Sequence, residues 1–186
     1  MAKQETTTMD AIRELKTRAE LLHRRIQNHD HRAIGRLRVL PDFRRASYEQ
    51  LAAATTDIQR RDCLTVIAAE LGFASWPAAK TAITGDAPAE DFGTLLYPGH
   101  RVAGHLNRWY KTYEDAASDR ASSGGYLLGY KRQYVVVDHY FIQSLGLDPA
   151  DPDWEALGFD WIRPKNVAAR SRLYAKLVAC LPPEAA

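Results

Sequence analysis

Cysteine is scarce in this chain: 186 residues hold only Cys63 and Cys180. Neither belongs to a CxxC pair or a Cys/His cluster, which excludes a zinc site of structural type. Both thiols are expected to be buried or half-buried small hydrophobes. A chain of this length buries a real core without disulfide or metal staples. Long apolar runs are also missing, since no window approaches the roughly 18–20 residues of a membrane span. The opening MAKQETTTMD lacks the charged-then-apolar pattern of a secretory signal, so the expected location is the cytoplasm, with no membrane partner. GxSxG, Walker, GxGxxG and kinase signatures are all lacking, and no motif implies a cofactor. Fixed-period repeats and low-complexity segments are absent too. Net charge is small: 25 Lys and Arg against 23 Asp and Glu leave +2, which argues against a protein that coats DNA.

What is present is ordinary globular composition, 46% hydrophobic and 26% charged, with helical periodicity. Ile12, Leu15, Ala19, Leu22 and Ile26 recur at three- and four-residue steps, which predicts a first helix from near Thr8. A second short helix is expected from about Asp30 to Val39, stopped by Pro41. Ser47 to Gln50 fits a capping box that opens a third. Ile58 to Leu71 puts Cys63, Leu64, Ile67, Ala68 and Leu71 on one side, and Gly72 is expected as its left-handed cap. Ser75-Trp76-Pro77 opens another helix, with Ser75 as N-cap, and Gly85 closes it.

Residues 85–91, GDAPAED, are small, acidic and broken by Gly and Pro, and read as a linker. The expected organisation is a helical module over 1–84, this linker, and an aromatic-rich α+β domain over 92–186. Seven of the nine tyrosines lie between Tyr97 and Tyr140, and three of the four tryptophans follow the linker. A helix is expected from about Arg101 to Ala117, burying Val102, Leu106, Trp109, Tyr110 and Tyr113. Ser122 to Gly125 reads as a turn. Tyr126 to Val137 is β-branched and aromatic, and predicts a two-stranded element turning near Lys131-Arg132. Asp138 is placed to cap a helix through Leu145, Asp151-Pro152 opens another, and Asn166 to Cys180 closes the chain as a helix. The fold class is therefore mainly α: an N-terminal helical bundle packed on a small α+β part with a short two-stranded sheet.

The runs Leu15-Lys16-Thr17-Arg18-Ala19-Glu20-Leu21-Leu22 and Gly72-Phe73-Ala74-Ser75-Trp76-Pro77-Ala78-Ala79-Lys80 carry a resemblance. Together they resemble a helical module of bacterial proteins with an LKxxAxxL start and a GFxSWPxLK end. It is found before ankyrin-repeat or glyoxalase-like domains. The likeness covers about residues 12–83 and departs at Ala79, where the pattern has Leu. It implies a helical fold and brings no catalytic residues. Phe73 and Trp76 are expected to pin its last helix to the others. Nothing after the linker resembles an ankyrin repeat or supplies a glyoxalase metal set.

Several groups could carry function. Arg108, Trp109, Arg120, Tyr130, Lys131 and Arg132 belong to a stretch where aromatics alternate with cations. Such a surface suits a protein interface, in which Tyr, Trp and Arg are enriched. It also suits stacking on single-stranded nucleic acid. Arg32, Arg36, Arg38, Arg44 and Arg45 lie in the basic first fifty residues, whose net charge of +4 could meet phosphates. A helix-turn-helix over 47–71 would present Asp62 and Glu70 outward, which makes a poor recognition helix. The loop Ser122 to Gly125 could offer backbone N–H groups to an anion, helped by Arg120, Lys131 and Arg132. Asp138 beside His139 is the only candidate acid–base pair, and Asp138 reads first as a helix cap. His100 and His105 are five apart rather than the four of a helical zinc pair, so no metal is expected. The reading that follows is a non-enzymatic binding or regulatory protein with a protein partner. Nucleic-acid binding, and a small enzyme or ligand-binding site around Arg120, Lys131, Asp138 and His139, are the alternatives. Self-association stays open.

Overall fold

The computed structural model describes residues 2–85, 91–98 and 104–181, with side chains from Ala11 onward. The protein is mainly helical and carries a small three-stranded antiparallel sheet.

Helix α1 (Ala2–Gln27) starts earlier than the expected Thr8. Ile12, Leu15, Ala19, Leu22 and Ile26 are all buried, as their spacing requires. Asp30 caps α2 (His31–Arg36) by accepting the Ala33 N–H at 2.9 Å. Tight 3-10 turns follow at Leu37–Val39 and Pro41–Phe43. The capping box at Ser47 opens α3 (Tyr48–Ala53), with Ser47 and Gln50 exchanging both bonds. Helix α4 (Arg60–Glu70) buries Cys63, Val66, Ile67 and Ala68, and Gly72 follows with φ of 80°. Ser75 caps α5 (Trp76–Thr84), which ends at Gly85 in the left-handed conformation. Phe73 is buried and Trp76 packs on the same core.

Residues 91–97 tie these helices to the sheet. Thr94 N–H donates to Leu71 O at 2.8 Å, past the end of α4. Phe92 N–H donates to Lys131 O at 2.9 Å, and Lys131 N–H to Gly93 O at 2.8 Å. Residues 86–90 of the expected linker lie outside the described residues.

The sheet is built from β1 (Arg108–Tyr110), β2 (Tyr126–Tyr130) and β3 (Gln133–Val137), in the order β1-β3-β2. The expected hairpin over 126–137 is there, turning at Lys131 and Arg132. The expected pair of strands is corrected to three, and the expected helix over 101–117 is corrected over residues 104–112, while 113–117 are helical and 101–103 lie outside the described residues. Trp109 pairs with Val135 and Tyr110 with Tyr134, so these aromatics complete a sheet edge. Thr112 then accepts the Asp115 N–H and starts α6 (Tyr113–Ser123). Leu106, expected in the core, is fully exposed at 101%. Val102 lies outside the described residues.

The two sheet faces differ. Leu127 and Val136 meet Ala116 of α6 in a small cluster of their own. Tyr126, Leu128, Val135 and Val137 join the main core, together with residues of α1, α4 and α5. Asp138 caps α7 (His139–Ser144), and Asp151 caps α8 (Pro152–Leu157). Residues after α8 extend the outer edge of β2, where Leu127 N–H donates to Phe159 O and Trp161 N–H to Leu127 O, both at 2.9 Å. Asn166 caps the closing helix α9 (Val167–Ala179), which lies along α1. Arg18 of α1 donates to Val178 O at 3.1 Å, which places a cation at the carbonyl end of α9.

Candidate functional site

Three places gather the residues singled out from the sequence. The first lies at the β1 edge of the sheet. Tyr97 sits at its centre, with ring centroids 4.9 Å from Trp109, 5.3 Å from Tyr130 and 5.3 Å from Phe141 of α7. Trp109 and Tyr130 meet edge-to-face at 5.8 Å. Such offset contacts contribute about 0.5–1.5 kcal/mol beyond area burial. Asn107 donates to the Tyr97 hydroxyl at 3.2 Å, and His105 shares a 2.9 Å hydrogen bond with Ser144 of α7. Trp109 nevertheless stays 41% exposed, and Leu106, three residues earlier in the chain, is fully exposed. Lys131 Nζ lies 5.5 Å from the Tyr130 ring centroid, within cation–π reach. Lys111, Lys131 and Arg132 are exposed, and none forms an ion pair among the described residues.

Arg108 and Arg120 do not belong to this surface. Alternation along β1 sends Arg108 to the α6 face, where it donates to Asp119 at 2.6 Å and to Gly124 O at 2.9 Å. Ser123 also donates to Asp119, at 3.1 Å. Burial raises the Asp119 carboxyl, but the hydrogen bonds from Arg108, Ser123 and Tyr110 outweigh it and hold the carboxyl below its usual range. Arg120 donates to Gly158 O at 2.8 Å and ties α6 to the turn after α8.

The second place is a small cavity of about 260 Å³ lined by Arg108, Ser123, Gly124, Gly125, Asp138 and His139, among others. It brings the small-residue loop next to Asp138 and His139, while Lys131, Arg132 and Arg120 stand elsewhere. Asp138 Oδ1 accepts the Phe141 N–H at 2.9 Å, which makes it the cap of α7. Among the described residues no hydrogen bond joins it to His139, whose ring rests on Tyr140 at 3.9 Å. An acid–base pair needs that bond or an equivalent water path.

The third place is the basic N-terminal stretch. Arg36 donates two bonds to Glu70, at 2.8 and 2.6 Å, and so pins α2 to α4 rather than facing solvent. Arg38 donates to Ala46 O at 3.4 Å. Arg44 and Arg45 line an open cleft with Asp42, Phe43 and Gln50. Arg32 is exposed on α2. The five arginines thus do not form one phosphate-facing row, and Asp42 lies among them.

Among the described residues no group of three or more His, Cys, Asp or Glu could hold a metal ion, and no helix is long and apolar enough to cross a membrane. His100 lies outside the described residues. Sequence reasoning placed Lys111 among the cations of the aromatic stretch but missed Tyr97 and Leu106 as members of this edge. The signal was the strand propensity of Arg108-Trp109-Tyr110, masked by apolar spacing that also fits a helix. Comparison of the chain with protein-family models, curated proteins and solved structures returned no match.

Proposed function

We propose that this chain is a cytoplasmic, non-enzymatic binding or regulatory protein whose partner is another protein. Its contact surface is the β1 edge, with Trp109 and Tyr130 as anchors and Lys111, Lys131 and Arg132 beside them. One observation carries the reading: Trp109 packs edge-to-face on Tyr97 and Tyr130 yet keeps 41% of its surface exposed. A half-exposed tryptophan packed on tyrosines, with Arg132 nearby in the hairpin, has the Trp, Tyr and Arg content of an interaction hot spot. Residues 12–83, which resemble the bacterial helical module, act in this reading as the scaffold that holds the sheet. The nucleic-acid reading has less support, because Arg36 is taken up by Glu70.

Affinity capture from the soluble extract of the protein's own host tests this. Trp109→Ala should weaken partner retention by about thirtyfold, as for a hot-spot residue. The variant should keep the parent's circular dichroism spectrum, with thermal unfolding lowered only by the lost Tyr97 and Tyr130 contacts. A partner retained equally by both forms contradicts the proposal. Retention of a dT oligonucleotide in place of a protein would favour nucleic acid.

A further inference from the structure

Among the described residues, nothing pairs with the outer edge of β1. The hairpin loop is two residues long, so Tyr130 and Gln133 close it as a hydrogen-bonded pair. Gln133, Val135 and Val137 therefore bond toward β2, and Tyr134 and Val136 bond toward β1. Those two face Tyr110 and Arg108. The backbone N–H and C=O of Trp109 are left pointing away from the sheet, and nothing among the described residues bonds to them. The opposite edge, on β2, is closed by residues 159–161. An edge whose N–H and C=O groups have no partner among the described residues is a template for another strand.

The chemistry along this edge is graded. Fully exposed Leu106 stands at one end and Trp109 in the middle. Lys111 and the hairpin-tip residues Lys131 and Arg132 stand at the other end. We infer that β1 takes up one extended segment of a partner protein as a fourth strand. Its apolar side chains on the Trp109 face lie against Trp109, and its carboxylates lie at Lys111, Lys131 and Arg132. This deepens the binding reading above and rests on it. Charge complementarity selects an acidic segment, because three unpaired cations flank one end of the edge. A second copy of this chain would bring none through the same edge, since residues 104–112 contain no Asp or Glu. Main-chain bonds supply the docking and the side chains supply the choice, as in other strand-addition modes.

Fluorescence anisotropy on the full chain tests the inference with labelled ten-residue peptides of alternating valine and threonine. One form ends in three glutamates and one in three lysines, and a third is the glutamate form methylated at alternate backbone nitrogens. The glutamate peptide should bind. The lysine-ended and methylated forms should bind at least about tenfold more weakly. Lys131→Glu combined with Arg132→Glu should reverse the charge preference. No peptide binding, equal binding of the charge variants, or indifference to methylation overturns strand addition. So does full displacement of the peptide by a dT oligonucleotide, or a dimer in sedimentation that Leu106→Asp dissolves. If no peptide binds but Trp109→Ala still abolishes partner capture, the docking surface stands and the fourth strand falls. If capture ignores Trp109→Ala, both fall.

Discussion

Cys63 and Cys180 have the same side chain and opposite surroundings. Cys63 is fully buried in α4, and burial pushes its thiol up to about 11. Cys180 is exposed just past α9. A thiol reagent should therefore label one cysteine in the native protein and two after denaturation. Rapid labelling of both in the native state would contradict the packing of α4. Gly85 is a second position where one atom decides. Its φ is +73°, and an added Cβ would lie 2.0 Å from Nη2 of Arg170. That guanidinium is itself buried and donates to Trp161 O, so it has little room to move. Gly85→Ala should cost more than about 1 kcal/mol, read as a lower midpoint in urea unfolding.

At the scale of elements, α8 and α9 are joined by charge. Asp153 is buried at the start of α8, where Arg172 grips it with two nitrogens and Lys176 approaches at 3.1 Å. Burial raises the Asp153 carboxyl, but the hydrogen bonds and charges of Arg172 and Lys176 outweigh it and hold it below its ordinary value. A depressed carboxyl contributes stability above its unfolded value of about 3.9. The contribution is lost as pH falls through the lower folded value. Asp153→Asn should cost about 2 kcal/mol at neutral pH, because a buried pair is broken while its cations remain partly hydrated. The gap between parent and variant in urea unfolding should narrow as the pH drops toward about 3. A gap independent of pH would contradict the ion pair.

Elements also show what the sequence made legible. Caps are legible directly: Ser47, Ser75, Asp138 and Asp151 each accept the backbone N–H that their position predicts. These are local chemistry, settled within four residues. The α1 stripe was legible because five apolar residues at helical spacing leave one buried face. β1 was not legible, because three residues are too few to show a period of two. The strand exists through its pairing with β3, twenty-five residues away. The same non-local pairing separates Arg108 from Trp109 onto opposite faces. It also scatters the anion group proposed around Arg120, Lys131, Asp138 and His139. Arg36 reads as a free cation in sequence, and only the fold brings Glu70 to it.

For the whole molecule, the first and last helices lie together, and the sheet shares its inner face with their core. This arrangement leaves one sheet edge covered and the other open among the described residues. It also brings aromatic residues from three separate segments, around Tyr97, Trp109 and Tyr130, to that open edge. The proposed contact surface is this edge because an exposed tryptophan packed on two tyrosines and cations without ion pairs coincide there. The most direct measurement is site-specific photo-crosslinking in the protein's own host. One photoreactive residue replaces Leu106 at the edge, and another replaces Leu21 on α1, also exposed at 51%. The account predicts a discrete protein adduct from position 106 that position 21 does not give. No adduct from position 106, or the same adducts from both positions, would contradict it.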